Sequence, residues 1–372
     1  MSAAAGFVPP AYPYDRLAPL EAEANRHEGG VVDLSVGTPC DPPPPAVLEA
    51  LAGSGAERGY PASIGSLALR RAAGEWLGRR HDVDVDPADV AACIGTKELV
   101  AGMPHWLRLR RPDRDTVLYP AVSYPSYEMG AVLAGCRAVA VPVDDEWRLD
   151  LAAVDPADAA RALCLWSNTP GNPAGGLDDL EAVAAWGRDH GVPVLSDECY
   201  VAYTWDGPAR TILRSGTEGV LAVHSVSKTF NLAGLRVGFY TGDHHLVQYL
   251  AELRKHAGFM VPGPAQHAAA VALAQDDAVA AQREVYRRRL DRMAAVLRDA
   301  YGIDVPMPGG GFYLWVPAPD GDAWAFAARL AAEAGALVSP GEFYGSRAAG
   351  HVRVAMVQPD DRIELVARRL GL

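Results

Sequence analysis

The sequence predicts an α/β fold with a largely parallel sheet and a second, smaller α+β unit, and three observations predict it. Apolar runs of about four to six residues alternate with helical periodicities of about ten or more between residues 67 and 241. Beyond Leu246 that alternation gives way to a long helical stretch and a few short strands. Polar clusters fall at the carboxyl ends of the apolar runs, where open parallel sheets collect their ligands.

The elements follow in order. The first 30 residues are rich in Pro, Ala and Tyr and read as an arm or short helix laid over a larger body. Pro42 to Pro45 form a stiff extended run before a short helix at 46–53. A helix at 67–80 carries arginines on one face. Strands are expected at 90–94, 116–119, 138–143, 161–166, 192–195, 220–224 and 237–241, with helices at 98–109, 127–134 and 180–190 between them. The strand at 161–166 ends in the turn-rich SNTPGNPAGG, and the one at 192–195 runs up to Asp197. A helical stretch spans 265–301, interrupted near Asp276-Asp277, before short strands at 311–316, 336–338 and 352–356 and a helix at 324–334. The expected division is an arm and small-domain segment at 1–45, a large domain at 46–255 and a small C-terminal domain at 256–372. A chain of 372 residues suits two or three domains of roughly 100–200 residues.

Composition bounds the function. With 49% hydrophobic and 22% charged residues, the chain can bury a sizeable core. A net charge of -12 and a pI near 5.3 argue against nucleic acid, because an acidic surface repels phosphate backbones. A local arginine cluster can still hold a small anion. The five cysteines (Cys40, Cys93, Cys136, Cys164 and Cys199) are odd in number and form no CxxC, which argues against a metal site and a disulfide framework. Most of them read as small buried hydrophobes. The start, MSAAAGFVPPAYPYDR, has neither a basic n-region nor a long apolar h-region, and no apolar stretch reaches about 18 residues. A cytoplasmic protein with no membrane span is expected.

The densest chemical signal is His224-Ser225-Val226-Ser227-Lys228-Thr229-Phe230, continuing to Gly234-Leu235-Arg236-Val237-Gly238. Hydroxyls and small residues beside two cations suit a phosphate monoester: Ser225 donates a hydrogen bond and Arg236 a bidentate pair. The lysine is then free to form a Schiff base with an aldehyde. The plain alternative is a solvated loop lysine.

This S-x-S-K-x-F-x-x-x-G-x-R-x-G pattern resembles the cofactor-lysine segment of class I/II aminotransferases of fold type I. Further blocks of that family appear in order: Tyr60-Pro61 with Gly65 and Leu69-Arg70, Gly95-Thr96-Lys97-Glu98, Asn168-Thr169-Pro170-Gly171-Asn172-Pro173-Ala174-Gly175, Asp197-Glu198-Cys199-Tyr200, and Arg353 in Val352-Arg353-Val354. The family has Thr where Ala174 stands, and Thr169 precedes Pro170 with the Asn displaced to 168.

The resemblance implies a mostly parallel seven-stranded sheet flanked by helices, pyridoxal 5'-phosphate (PLP) as cofactor, and a set of roles. Lys228 bonds to the cofactor aldehyde and, once released, moves a proton to and from the substrate's α-carbon. Asp197 keeps the ring nitrogen protonated, so that the ring can take up electrons. Tyr200 and Asn172 hydrogen-bond the ring's phenolic oxygen, and Tyr124 stacks on the ring. Gly95, Thr96 and Lys97 at a helix start hold the phosphate with Ser225, Ser227 and Arg236. Arg353 binds the substrate α-carboxylate as a fork, and Gly37 brings a backbone group to it where a side chain would obstruct. Tyr60 reaches the phosphate of the partner subunit's cofactor, which implies a homodimer with a shared active site. Plainer readings stay open: Asp197 as a helix N-cap, Asn172 as a turn residue, Tyr124 as a core tyrosine.

The stretches VDLSVGTPCDP, IGTKELV, YPSYEMGAVLAG, SDECYVAYTWDG and LRKHAGFMVPGPAQHA are similar to succinyldiaminopimelate transaminases of actinobacterial type. That implies amino transfer between N-succinyl-LL-2,6-diaminopimelate and 2-oxoglutarate, in lysine biosynthesis. Distal carboxylates then need a cation, with Lys97 and Arg254 as candidates. The alternatives are an aminotransferase for aspartate, methionine or an aromatic amino acid, a PLP enzyme of elimination, decarboxylation or racemisation, and a PLP-sensing regulator. A carboxylate held by Arg353 disfavours decarboxylation. No GxGxxG follows the first strand, which excludes a dinucleotide enzyme.

Overall fold

The computed structural model describes residues 6–372. A 3-10 turn (Pro13–Leu17) runs into α1 (Ala18–Ala24), followed by β1 (Val32–Asp33) and α2 (Pro45–Ala52). α3 (Leu67–His81) starts at Ser66, whose hydroxyl accepts from the Leu69 N–H at 3.2 Å. The alternating region comprises β2 (Val90–Cys93), α4 (Thr96–Arg110), β3 (Thr116–Pro120), α5 (Ser126–Leu133), β4 (Arg137–Val141), α6 (Pro156–Arg161), β5 (Ala162–Asn168), α7 (Leu180–His190), β6 (Val194–Asp197), β7 (Val220–Ser225), α8 (Val226–Thr229), β8 (Gly238–Gly242) and α9 (His244–His256).

Seven of these strands form one sheet in the order β2-β8-β7-β6-β5-β3-β4. β8 is antiparallel to both its neighbours, and every other pair is parallel. Every residue of β5, β6 and β7 is buried, because helices cover both faces. On one face Leu195, Leu221 and Val223 pack with Leu99 and Met103 of α4 and Leu250 of α9. On the other, Val194, Val220 and Ala222 pack with Leu77 of α3, Val183 of α7 and Ala268 of α10 (Gly263–Ala272).

The rest of the chain builds a second core. α11 (Asp276–Tyr301), α12 (Ala323–Ala334) and α13 (Asp360–Arg369) pack through Leu290, Phe326 and Ile363. They cover an antiparallel sheet in which β12 (His351–Ala355) lies between β11 (Ser339–Pro340) and β9 (Tyr313–Pro317). β1 pairs in parallel with β10 (Ala336–Leu337), so the N-terminal segment joins this second core. Among the described residues no helix is long and apolar enough to cross a membrane.

The strands expected from the sequence form, within one or two residues at their ends. The helices α6, α8, α9 and α13 and the strands β1 and β11 go beyond those expectations. α9 carried a legible signal: Leu246, Val247, Leu250 and Ala251 repeat at helical spacing, and Asp243 caps the helix by accepting from the Leu246 N–H at 3.0 Å. α6 has six residues and β1 and β11 two each, too short for any period to register.

Arg254 is a correction. It is 1% exposed, forks onto Glu98 at 3.1 and 2.5 Å, and lies over the rings of Trp106 and Phe259 at 5.0 and 4.9 Å. Its charge is spent tying α9 to α4, and it does not line the cavity described below, so it meets no substrate carboxylate. Glu98→Ala leaves this guanidinium buried without a counter-charge. Urea unfolding is expected to show a loss of about 3 kcal/mol, and a loss below about 1 kcal/mol would put the pair in the class of solvated surface bridges.

Candidate active site

Side chains alternate across a strand. Leu195 and Val223 face α4, so Asp197 and Ser225, two residues further on, face the same way at the strand ends. Glu198 and His224 take the opposite face: Glu198 accepts from the Ile212 N–H at 2.8 Å and the Ser196 hydroxyl at 2.9 Å, and lies 3.5 Å from His224. The carboxyl ends of β5, β6 and β7 and the start of α4 thereby enclose a cavity of about 240 Å³.

Asp197 stands in the cavity wall. It accepts from the Tyr127 hydroxyl at 2.8 Å and from the Cys199 N–H at 3.2 Å. Burial pushes its carboxyl up from the ordinary range, against these two hydrogen bonds. Asn168 steadies the neighbourhood, donating to the Asp197 carbonyl at 2.9 Å and accepting from the Asn172 N–H at 2.8 Å.

Lys228 lies on α8, which Ser225 caps by accepting from the Ser227 N–H at 3.1 Å. Its ammonium donates to the Gly37 carbonyl. Burial lowers its pKa from 10.5 to about 8. Roughly a tenth of the amine is therefore uncharged at pH 7, and an uncharged amine is the form that attacks an aldehyde.

One end of the cavity is built for an oxyanion. α4 opens at Thr96 without a side-chain cap, so its first N–H groups are free to meet a ligand. Gly95 has φ +75°, a conformation that favours glycine, and a Cβ there would push into the Arg236 guanidinium at 2.1 Å. Among the described residues Arg236 donates only to the backbone carbonyls of Ala233 and Ile94, at 2.9 and 3.4 Å. Thr96, Ser225, Ser227 and Arg236 line this end, a donor set that fits a phosphate monoester.

The other end holds Arg353, 1% exposed on β12. It donates to Asn172 Oδ1 at 2.7 Å, to the Tyr14 hydroxyl at 3.1 Å and to the Ser35 carbonyl. The rings of Tyr313 and Tyr344 flank it at 4.3 and 4.9 Å, and its Nε is buried with no partner among the described residues. The Asn172 amide donates to the Tyr200 hydroxyl at 3.3 Å, and that hydroxyl lies 2.9 Å from the Tyr313 hydroxyl. A Cβ on Gly37 would meet the Tyr313 hydroxyl at 1.9 Å, which explains a glycine there.

The residues singled out in the sequence therefore converge. Gly37, Thr96, Lys97, Tyr124, Asn172, Asp197, Tyr200, Ser225, Ser227, Lys228, Arg236 and Arg353 line one cavity, and Gly95 abuts it through Arg236. Tyr60 does not: it is 98% exposed and outside the cavity of its own chain. Asp197 caps no helix, since a short 3-10 turn and not an α-helix follows it. Sequence reasoning missed Tyr14, Tyr127, Asn168, Cys199 and Tyr313 as cavity residues. Tyr127 and Tyr313 carried a partial signal, the first one turn beyond Tyr124 and the second alternating with core residues Phe312 and Leu314. Cys199 is not a plain hydrophobe, since its thiol donates to the Thr96 hydroxyl at 3.2 Å. The arm also reaches the site: Tyr12 meets the Tyr124 hydroxyl at 3.0 Å.

Residues 29–370 match the family "Aminotransferase class I and II". The chain is 41% identical to a Mycobacterium tuberculosis protein, "Probable aminotransferase", over 97% of this chain and 85% of that one. It is 39% identical to the 4-dedimethylamino-4-oxo-anhydrotetracycline transaminase of Streptomyces rimosus, over 97% and 99%. Among solved structures, a probable N-succinyldiaminopimelate aminotransferase from Thermus thermophilus superposes with a TM-score of 0.85 at 30% identity, over 96% of this chain and 98% of that one. The chain belongs to the class I and II aminotransferases, enzymes that use pyridoxal 5'-phosphate.

Proposed function

We propose that this transaminase moves an amino group between N-succinyl-LL-2,6-diaminopimelate and 2-oxoglutarate. The observation that carries the reading is a cation in the cavity wall, Lys97, beyond those at the phosphate end and the α-carboxylate site. Lys97 Nζ is partnered by the hydroxyls of Tyr12 and Tyr124, at 3.2 and 3.5 Å. Neutral phenols leave its charge free for a carboxylate, while Arg353 serves the α-carboxylate. Both proposed substrates carry a carboxylate beyond the reacting carbon. Sequence similarity in whole segments and the Thermus thermophilus relative support the same reading.

The residues divide the work by position. Pyridoxal phosphate supplies an aldehyde that bonds to amines and a ring that takes up the electron pair left at the α-carbon. Thr96, Ser225, Ser227, Arg236 and the N–H groups at the start of α4 hold the phosphate. Asp197, oriented by Tyr127 and the Cys199 N–H, holds a proton on the ring nitrogen. The Tyr200 hydroxyl and Asn172 would serve the ring oxygen, and the Tyr124 ring, in the same wall, would pack against the ring. Arg353 and the Gly37 N–H would hold the α-carboxylate so that the α-proton faces the Lys228 amine, the base that would take it up and later give it back. We further propose a homodimer in which Tyr60, exposed on one protomer, completes the phosphate site of the other.

A second reading is a transaminase for a different carbonyl compound, favoured by the 39% identity to the anhydrotetracycline transaminase. A half-reaction separates the two. The holoenzyme is mixed with N-succinyl-LL-2,6-diaminopimelate and, separately, with a panel of common amino acids, and the visible cofactor absorbance is followed. The succinylated donor is expected to convert it fastest. Lys97→Met is expected to raise KM for that donor about tenfold and to leave alanine unchanged. An inert succinylated donor reassigns the substrate.

Lys228→Ala is expected to lower transamination at least about 10³-fold, read as 2-oxo acid formed, and undiminished turnover would end the assignment. The sign of the pH effect follows from the lowered lysine pKa. Below about 8 the amine is mostly protonated and unreactive, and above it mostly free. The rate at which apoprotein takes up pyridoxal phosphate should climb between pH 7 and 8 and level off by about pH 9. A rate still climbing steeply above pH 9 would mean an ordinary lysine.

A further inference from the structure

We propose that Tyr313 is a positioning residue that commits the Tyr200 proton to the cofactor and makes that proton sensitive to the charge on Arg353. The inference rests on the reading above, in which Tyr200 serves the ring oxygen.

A phenol hydroxyl has one proton to donate and two lone pairs to accept with. The amide of Asn172 is fixed in orientation, because its oxygen is held by Arg353 at 2.7 Å. Its NH2 therefore faces Tyr200 and fills one lone pair at 3.3 Å. The Tyr313 hydroxyl lies 2.9 Å away, and when it acts as the donor it fills the second. In that arrangement both lone pairs are taken, and the Tyr200 proton is left to point into the cavity that both phenols line. Burial holds both phenols protonated, Tyr200 well above the ordinary range. Donors on its oxygen polarise the Tyr200 O–H and strengthen the bond that it donates.

Tyr313 is placed to transmit charge as well. Its ring lies 4.3 Å from the Arg353 guanidinium, whose field makes the Tyr313 hydroxyl a better donor. A carboxylate docking on Arg353 cancels part of that field. Tyr313 then donates less strongly to Tyr200, and Tyr200 to the ring oxygen. Gly37 fixes the arrangement, since any side chain there would displace the Tyr313 hydroxyl.

The test is the pH midpoint of the visible cofactor absorbance, titrated in the holoenzyme without substrate. A hydrogen bond donated to the ring oxygen draws negative charge from it and loosens the proton on the neighbouring nitrogen, so losing that bond raises the midpoint. Tyr200→Phe is expected to raise it. Tyr313→Phe, which keeps the ring beside Arg353 and removes one oxygen, should raise it by about half a unit to one unit. The double variant should shift no further than Tyr200→Phe alone, because Tyr313 acts through Tyr200. A Tyr313→Phe midpoint equal to wild type beside a shifted Tyr200→Phe reduces Tyr313 to packing and overturns the inference. So does a double variant in which the two shifts simply add. A Tyr200→Phe midpoint equal to wild type instead overturns the role of Tyr200 in the proposed function.

Discussion

The active site depends on a buried cation that has no buried counter-ion. Arg353 is almost wholly enclosed, and its partners are an amide oxygen, a carbonyl, a phenol and two aromatic faces. A charge removed from water is stable only if dipoles and π-electrons replace the hydration it loses. Those dipoles come from the N-terminal segment, from the turn after β5 and from the second sheet, so the cation is stable only when all three are assembled. The same shortage of negative charge makes the position a receptor for a carboxylate.

The large sheet contributes a complementary device. Because side chains alternate, the ends of β6 and β7 send Asp197 and Ser225 to one face and Glu198 and His224 to the other. The reacting groups thus share a cavity, while a second acid and an imidazole only one residue away are sealed from it. Burial sets the two pairs differently. Asp197 has donors on both oxygens, whereas one oxygen of Glu198 and both ring nitrogens of His224 are buried without hydrogen-bond partners. Burial raises Glu198 to about 7 and drives His224 well below its ordinary range, so at neutral pH the imidazole is uncharged and the carboxyl only partly ionised.

α4 links the two ends of the cavity. Its N-terminus and the adjoining Gly95 form the oxyanion end, its Lys97 reaches Tyr12 of the arm, and its Glu98 is locked by Arg254. A shift of this one helix would move the oxyanion site and the outer cation together. The Glu98–Arg254 pair therefore acts on the site through geometry, with its own charge already spent.

The sequence by itself determined the α/β class, most of the strands, and the polar residues of the cavity that lie in its signature blocks. Strand alternation and local residue type carry that information, and both are written in neighbouring positions. Twelve of the residues singled out line one cavity, drawn from segments as far apart as Gly37 and Arg353. Contacts between distant segments were decided only by the tertiary structure. Tyr14, Tyr127 and Tyr313 look like core or arm aromatics in sequence, and they become site residues only because α5, β9 and the arm pack around the ends of β5 and β6. Arg254 and Lys97 are two cations of equal promise in sequence. Burial against a carboxylate neutralised one, and a wall of neutral phenols left the other free, because the value of a charge is set by the partners that packing brings to it.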